Sequence, residues 1–173
     1  MDAGDHKLLW SSLDNPLQHP SMSQANEPTV SFSLTCKSAA DALDFYARAL
    51  GAVELFRLSP APGIVPHAEF MIGTTHINIS DEAPTSHAFA IPDGGLAPCV
   101  FTIQVDDCDK AFARALAAGA SPLTRSQDQF WGKRTAMIRD PFGYRWSFSQ
   151  HLEDVPPDEL MKRAQAFMRN GAK

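Results

Sequence analysis

Two stretches of this chain, about 65 residues apart, have similar amino-acid sequences: DFYARALGA at residues 44–52 and KAFARALAAGA at residues 110–120. In both stretches the apolar residues recur at helical spacing and a glycine follows, which predicts an amphipathic helix that ends in a left-handed turn. A repeat of this length indicates an internal duplication of a whole module rather than a solenoid unit. Both halves of the chain are therefore expected to build the same structure.

Each predicted helix follows one predicted strand and precedes three more. TVSFSLTC, residues 29–36, alternates apolar and polar side chains, which is typical of a half-buried strand, and CVFTIQV, residues 99–105, takes the same place in the second half. The other predicted strands are VELFRL, HAEFMIG and HINISDE in the first half and SPLTRSQ, KRTAMIRD and YRWSFSQ in the second. We therefore predict an α+β fold in which paired β-α-β-β-β modules form a curved mixed sheet with a concave cleft.

The chain divides into four parts. Residues 1–28 are rich in Pro, Asn, Ser and Gln and lack periodicity, which predicts a flexible N-terminal extension. The first module is expected over residues 29–97 and the second over residues 98–152. In residues 153–173, the segment PPDELMKRAQAFMRN starts with prolines and acids, which predicts a C-terminal helix.

The overall composition excludes several kinds of partner. A net charge of -5 and a pI near 5.6 leave no basic patch, so we expect no nucleic acid partner. No apolar run is long enough to cross a bilayer, so we expect no membrane partner. Three cysteines without CxxC spacing favour free thiols in a reducing compartment. Because no secretion signal is recognisable either, we expect a cytoplasmic protein.

The strand alternation predicts which side chains line the cleft. Bulky residues such as Trp146 and Phe148 are expected to meet the helix, so the residues between them face the other way. A lining of mostly uncharged polar groups predicts a hydrated small-molecule cleft rather than a second core. Trp131 is added as an aromatic that can stack on a flat ligand at the cleft rim, or pack in the core instead. The candidate ligand-binding residues are Ser31, Ser33, His76, Asn78, Thr102, Gln104, Trp131, Arg145, Ser147 and Ser149.

Three of the polar features have two open interpretations each. His76 is a candidate catalytic residue for proton transfer near neutral pH, or a structural histidine. Arg145 can anchor an anionic ligand through its forked guanidinium, or form a surface ion pair. His67, Glu69 and His151 are a possible set of metal ligands by spacing alone, and otherwise are ordinary surface residues.

Four motifs together resemble the vicinal oxygen chelate superfamily, which includes glyoxalase I, extradiol dioxygenases, fosfomycin-resistance enzymes and bleomycin-binding proteins. They are ALDFYARALGA, HAEFMIG, FWGKRTAMIRDPFGYRWS and HLEDVPPDEL, and the branch that they resemble most is that of the PhnB-like glyoxalase/bleomycin-resistance proteins. The similarity extends over residues 28–167. It implies the paired-module fold and a homodimer in which modules of two chains complete each cleft.

Metal-using members of that superfamily hold a divalent ion with His, Glu or Gln side chains from four strands. The resemblance places those positions at Ser31, Asn78, Val100 and Ser147 of this chain. None of the four side chains is an imidazole or a carboxylate, so we expect no metal cofactor and a function in binding an antibiotic or metabolite. The alternative is a glyoxalase-type lyase, isomerase or transferase with a displaced divalent metal or with metal-free acid/base chemistry around His76.

Overall fold

The computed structural model describes residues 30–171, and the described residues from Ser31 onward belong to one compact unit. The extension predicted for residues 1–28 lies outside the described residues. Two similar series of elements follow one another and a helix ends the chain. In order they are β1 Phe32–Cys36, α1 Ala39–Leu50, β2 Val53–Leu58, β3 His67–Ile72, β4 Thr75–Asp81, β5 Val100–Gln104, α2 Cys108–Ala117, β6 Ser121–Gln129, β7 Lys133–Arg139, β8 Arg145–His151 and α3 Pro157–Arg169.

Each module forms its own four-stranded mixed sheet. The strand order is β1-β4-β3-β2 in the first sheet and β5-β8-β7-β6 in the second, and in each sheet only the first pair is parallel. The predicted α+β class with paired β-α-β-β-β modules is confirmed. Among the described strands, none of the first sheet is hydrogen-bonded to a strand of the second. β1 and β5 are therefore edge strands, each with one side that has no strand partner.

Local sequence signals set the ends of the first two helices. The Ser38 hydroxyl caps α1 by accepting a hydrogen bond from the Asp41 amide at 3.3 Å, and the Asp107 carboxylate caps α2 by accepting one from the Lys110 amide at 3.0 Å. Gly51 ends α1 with a φ of 72°, a left-handed conformation that favours glycine. These caps fix where each helix begins, and Gly51 fixes where α1 ends.

The two modules share one hydrophobic core, and Tyr46 of α1 lies at its centre. The Tyr46 ring stacks on Phe70 of its own module at 5.4 Å between ring centroids. It also packs edge-on against Trp146 of the second module at 5.5 Å, while Phe45 reaches Phe142 at 6.1 Å. The modules therefore meet through residues on the helix side of each sheet.

Asp140 connects the two modules through hydrogen bonds. Its carboxylate is 2% exposed. One oxygen accepts from the amides of Phe142 and Tyr144, and the other accepts from the Tyr46 hydroxyl and the Trp146 indole, all at 2.9 Å. Burial raises the pKa of the Asp140 carboxyl above its usual value, although the four donors act in the opposite direction. The DPFG turn is thus a joint between modules as well as a connector between strands.

None of the helices in residues 30–171 is both long enough and apolar enough to cross a membrane. Cys36, Cys99 and Cys108 are free thiols, as the spacing of the cysteines predicts.

Candidate functional site

Each sheet has one face covered by its helix and one that is not, which we call the open face. α1 packs on the four strands of the first sheet, and α2 packs on β6, β7 and β8 of the second. Residues on the helix side, such as Leu34, Ile77 and Phe148, are buried, whereas their neighbours Ser33, His76 and Ser147 are more accessible. This alternation is the one predicted from the sequence. Because the modules join on their helix sides, both open faces point away from the shared core.

The open face of the first sheet carries a cluster of three ionisable side chains, which we call the Glu69 cluster. The Glu69 carboxylate lies between two imidazoles, 3.0 Å from Nε2 of His67 and 2.9 Å from Nε2 of His76. Its side chain is 17% exposed and each histidine side chain is 43% exposed. His76 is therefore not an isolated imidazole on this face. The signal that could have revealed the cluster is the β3/β4 hairpin, which brings HAEF and HINI together.

The geometry of the Glu69 cluster favours one tautomer of each histidine. A carboxylate oxygen accepts, so the hydrogen lies on Nε2 of His67 and of His76, and Nδ1 of each neutral ring is left as an acceptor. Such an imidazole, oriented by a carboxylate, is suited to receive a proton from a bound molecule. His151 does not join this cluster, because it lies on the second sheet 3.4 Å from Asp154.

The open face of the second sheet is organised in three cross-strand rows. Thr102 and Gln104 of β5 are exposed, whereas Ser149 of β8 is only 4% exposed, although all three lie on this face. The rows from β5 through β8 to β7 are Val100, Arg145 and Arg139; Thr102, Ser147 and Met137; and Gln104, Ser149 and Thr135. Four of the predicted residues, Thr102, Gln104, Ser147 and Ser149, thus occupy two adjacent rows.

Two arginines occupy opposite positions of β7 and β8 at one end of this face. Arg145 donates to the carbonyl oxygens of Pro98 at 2.7 Å and Cys99 at 3.3 Å, so among the described residues its contacts are carbonyls and not carboxylates. Arg139 lies directly opposite Arg145 in the β7/β8 register, and its buried Nε has no hydrogen-bond partner. An unsatisfied buried donor costs about 1–3 kcal/mol. Sequence reasoning missed Arg139, although the alternation of KRTAMIRD places it on the same face as Met137.

Trp131 lies far from the arginine pair. It occupies the β6/β7 turn, is 40% exposed, and packs edge-on against Phe130 at 4.8 Å. Phe130 in turn contacts Phe167 of α3 at 5.2 Å. The length of β7, about 20 Å at 3.3 Å per residue, separates this turn from Arg145. Trp131 and Arg145 are therefore at opposite ends of the second sheet.

A groove of about 730 Å³ runs along the unpaired edge of β5. It is bordered by Phe32 and Ile77 of the first module and by Trp146 of the second. Of the predicted ligand-binding residues, Thr102 and Gln104 border it. The predicted ligand-binding residues therefore lie in three separate places. One group is on the open face of the first sheet, a second is on the open face of the second sheet, and Trp131 is in the β6/β7 turn. The first group consists of Ser31, Ser33, His76 and Asn78.

The four positions implied for a metal do not suit one. Ser31 comes one residue before β1 and is exposed, Asn78 lies on β4, Val100 begins β5, and Ser147 lies on β8. Hydroxyl, amide and alkyl groups do not form a tight site for zinc, nickel, manganese or iron. Elsewhere in residues 30–171, no three or more His, Cys, Asp or Glu side chains are arranged to hold a metal ion.

Comparison with known proteins identifies the family. The model of the glyoxalase/bleomycin resistance protein/dioxygenase superfamily matches residues 29–148. The uncharacterized protein Mb0911c of Mycobacterium bovis is 36% identical over 137 residues, which cover 78% of this chain and 90% of that protein.

Solved structures share the same fold. TioX from Micromonospora sp. ML1 is 27% identical with a TM-score of 0.57, over 73% of this chain and 100% of that one. The fosfomycin resistance protein FosX from Listeria monocytogenes, solved with Mn(II) and sulfate, is 16% identical with a TM-score of 0.55, over 80% of this chain and 98% of that one, a likeness of fold alone. Together with the match to residues 29–148, the duplicated modules and their open faces lead to one conclusion: this chain belongs to the glyoxalase/bleomycin resistance protein/dioxygenase superfamily.

Proposed function

We propose that this protein binds a small molecule without a catalytic metal, in the manner of the bleomycin-binding members of its superfamily, and sequesters an antibiotic or metabolite in the cytoplasm. Within the superfamily we place it in the PhnB-like branch. The observation that carries the proposal is the set of side chains at Ser31, Asn78, Val100 and Ser147, which lacks the imidazole and carboxylate donors of a metal site.

The rows of the second open face support a role in binding. Thr102, Gln104, Ser147 and Thr135 offer hydroxyl and amide groups, and Met137 offers a flexible apolar surface between them. A face with a few polar groups around an apolar patch suits a ligand that has hydrogen-bonding groups as well as a ring or chain. We expect an aromatic or polyol ligand rather than a purely apolar one.

We further propose that the protein works as a homodimer. Each open face points away from the core of its own chain, so a second wall over either open face needs a sheet from another chain. The resemblance to superfamily members, which implies that modules of two chains complete each cleft, supports this arrangement. Each cleft then combines the first module of one chain with the second module of its partner.

A second candidate function rests on the Glu69 cluster. Two histidines oriented by one carboxylate suit metal-free proton transfer, as a glyoxalase-type isomerase or lyase needs. In this case His76 accepts a proton from the substrate through Nδ1, and Glu69 stabilises the imidazolium that forms. Product formation that is lost in His76→Asn and kept in His87→Asn, an exposed histidine of another loop, would favour this candidate.

Binding is tested by the thermal stability of the full chain with a panel of bleomycin-type antibiotics and aromatic polyols, in the presence of a chelator. A ligand at 100 times its Kd stabilises the folded state by about 2.7 kcal/mol, which is a rise in Tm of roughly 5–10 °C for a chain of this size. We expect Ser147→Leu to abolish this rise because the larger side chain fills the middle row of the second open face.

The matched control is Ser86→Leu, which makes the same change in a short exposed turn at residues 84–86. It should keep the full ligand-induced rise. The proposal fails if no member of the panel raises the Tm in the presence of the chelator, including the case in which a rise is seen only when the chelator is left out.

A further inference from the structure

The strand positions on the open face of the second sheet carry basic but no acidic side chains, and His151 at one end lies 3.4 Å from Asp154 of the following segment. The register places Lys133, Arg139 and Arg145 on it, together with His151. Its other positions are Val100, Thr102, Gln104, Ser121, Thr124, Gln127, Gln129, Thr135, Met137, Ser147 and Ser149. No aspartate or glutamate occurs among these strand positions, although the whole chain has a net charge of -5. A surface with one sign of charge concentrates small molecules of the opposite sign.

Two acids of this module, Asp109 and Asp128, lie on the other side of the sheet. Arg134, the neighbour of Lys133, points to the helix side, where Asp109 of α2 and Asp128 of β6 bind its guanidinium at 2.9 and 2.6 Å. That arginine is neutralised by two carboxylates. Arg139 and Arg145, five and eleven residues further along, have no carboxylate partner among the described residues.

The arginine pair is built into the sheet rather than placed on a mobile loop. Arg139 ends β7 and Arg145 begins β8, and the DPFG turn between them is fixed by Asp140. Directly opposed residues of an antiparallel pair have Cβ atoms about 4.5–5.5 Å apart, so the two side chains start close together. The carbonyls of Pro98 and Cys99 hold the Arg145 guanidinium in place.

From these observations we propose that Arg139 and Arg145 form an oxyanion anchor, and that the ligand of the open face carries a carboxylate or phosphoryl group. Two like charges directly opposite each other destabilise a sheet, and an anion between them removes that repulsion. Guanidinium groups match the geometry of both oxyanions through paired hydrogen bonds. No described residue accepts a hydrogen bond from the terminal nitrogens of Arg139 or from Nη1 of Arg145, so these N–H groups are the donors that remain for an anion. The inference rests on the proposed function, since it names the chemical class of the ligand for the same face.

The rest of the ligand is placed by the neighbouring row. An oxyanion held at Arg139 and Arg145 directs the remainder of the molecule over Met137 and Ser147, one row further along both strands. A small acid with an apolar or hydroxylated body fits this order of contacts. A neutral molecule uses the same rows but gains nothing from the arginines.

The test uses the ¹⁵N-labelled full chain, with inorganic phosphate and benzoate as the anionic probes and benzamide as the neutral counterpart of benzoate. We expect the side-chain N–H resonances of Arg139 and Arg145 to shift and saturate with each anion. Arg139→Gln should weaken phosphate binding at least tenfold, and Arg139→Lys should weaken it too because an ammonium lacks the fork. The matched control is Arg48→Gln, an equal loss of charge on the exposed side of α1.

Several outcomes would overturn the anchor. These are phosphate binding that is unchanged in Arg139→Gln, an equal weakening in Arg48→Gln, and a response to benzamide as strong as that to benzoate. The relative affinities of phosphate and benzoate tell which oxyanion the pair prefers. If the antibiotic and polyol panel raises the Tm but neither anion binds, the anchor is wrong and the proposed function stands. If the anions bind at Arg139 but no panel member raises the Tm, the anchor stands and the proposed function fails.

Discussion

Replacing Asp140 with asparagine should lower the free energy of unfolding by about 2–4 kcal/mol, the largest effect that we expect from a change of so few atoms. The carboxylate accepts four hydrogen bonds in the shared core, two at each oxygen. In Asp140→Asn one oxygen becomes an amide nitrogen, which cannot accept. The indole N–H of Trp146 is a donor only, so it loses its partner in a site that excludes water.

Chemical denaturation of the wild type and the variant measures this effect. Asp93→Asn is the matched control, because Asp93 is 90% exposed in its ion pair with Lys37 and its loss should leave the stability nearly unchanged. Equal stabilities of Asp140→Asn and the wild type would show that the modules are not held together through this carboxylate.

The Asp140 carboxyl also determines whether the folding stability rises or falls with pH. Burial raises the pKa of Asp140 above its usual 3.8, so the folded chain holds this proton more tightly than the unfolded chain does. The stabilisation that the folded chain gains from binding the Asp140 proton is complete below pH 3.8, and it is lost as the pH rises through the higher pKa of the folded state. Above pH 3.8, stability should therefore fall with rising pH more in the wild type than in Asp140→Asn.

The second large effect is expected at Gly132, which lies in the FWGKR motif. Its φ is 81°, and a Cβ atom at this position would lie next to the carbonyl oxygen of Glu153 and the side chain of Val155. The Gly132 carbonyl also accepts hydrogen bonds from the amides of Leu152 and Glu153 at 3.0 and 3.2 Å. Gly132→Ala should therefore displace the segment after β8 and destabilise the chain by about 3 kcal/mol, from left-handed strain and overpacking together.

This displacement should reach α3, because Arg163 binds Glu153 and the carbonyl of Phe130. We expect limited proteolysis to cut before α3 faster in Gly132→Ala than in the wild type. Gly63→Ala is the control for strain alone, since Gly63 has a φ of 74° and no atom within 4 Å of an added Cβ. It should cost about 1–2 kcal/mol and leave the cleavage rate before α3 unchanged. Similar losses in the two variants would mean that Gly132 matters only for its backbone conformation.

The fold could be predicted because its signals are local. The period-2 alternation of TVSFSLTC indicates both the strand and its two faces, and Gly51 marks the end of a helix by the conformation that it permits. Because the sequence is duplicated, the structure of the second module can then be predicted from that of the first. Each of these inferences needs a window of about ten residues and no knowledge of tertiary contacts.

The parts that could not be predicted depend on contacts between distant residues. Asp140 belongs to a turn, and only the folded core shows that Tyr46, 94 residues away, donates to it. The Glu69 cluster needs the register of β3 with β4, and the pairing of Arg139 with Arg145 needs that of β7 with β8. The alternation of polar and apolar residues in the sequence shows the face on which the Glu69 cluster and the two arginines lie. It does not show which residues of two strands are opposite each other, because this register is fixed by the turn geometry and by the packing of the opposite face.

The metal content of the purified full chain tests the central claim most directly. The protein is incubated with zinc, nickel, manganese and iron in turn, passed through a desalting column, and analysed for bound metal per chain. Because Ser31, Asn78, Val100 and Ser147 lack imidazole and carboxylate donors, we expect far less than one equivalent of every metal. One equivalent of a tightly held metal, retained through the column, would contradict the proposal that this protein binds its ligand without one.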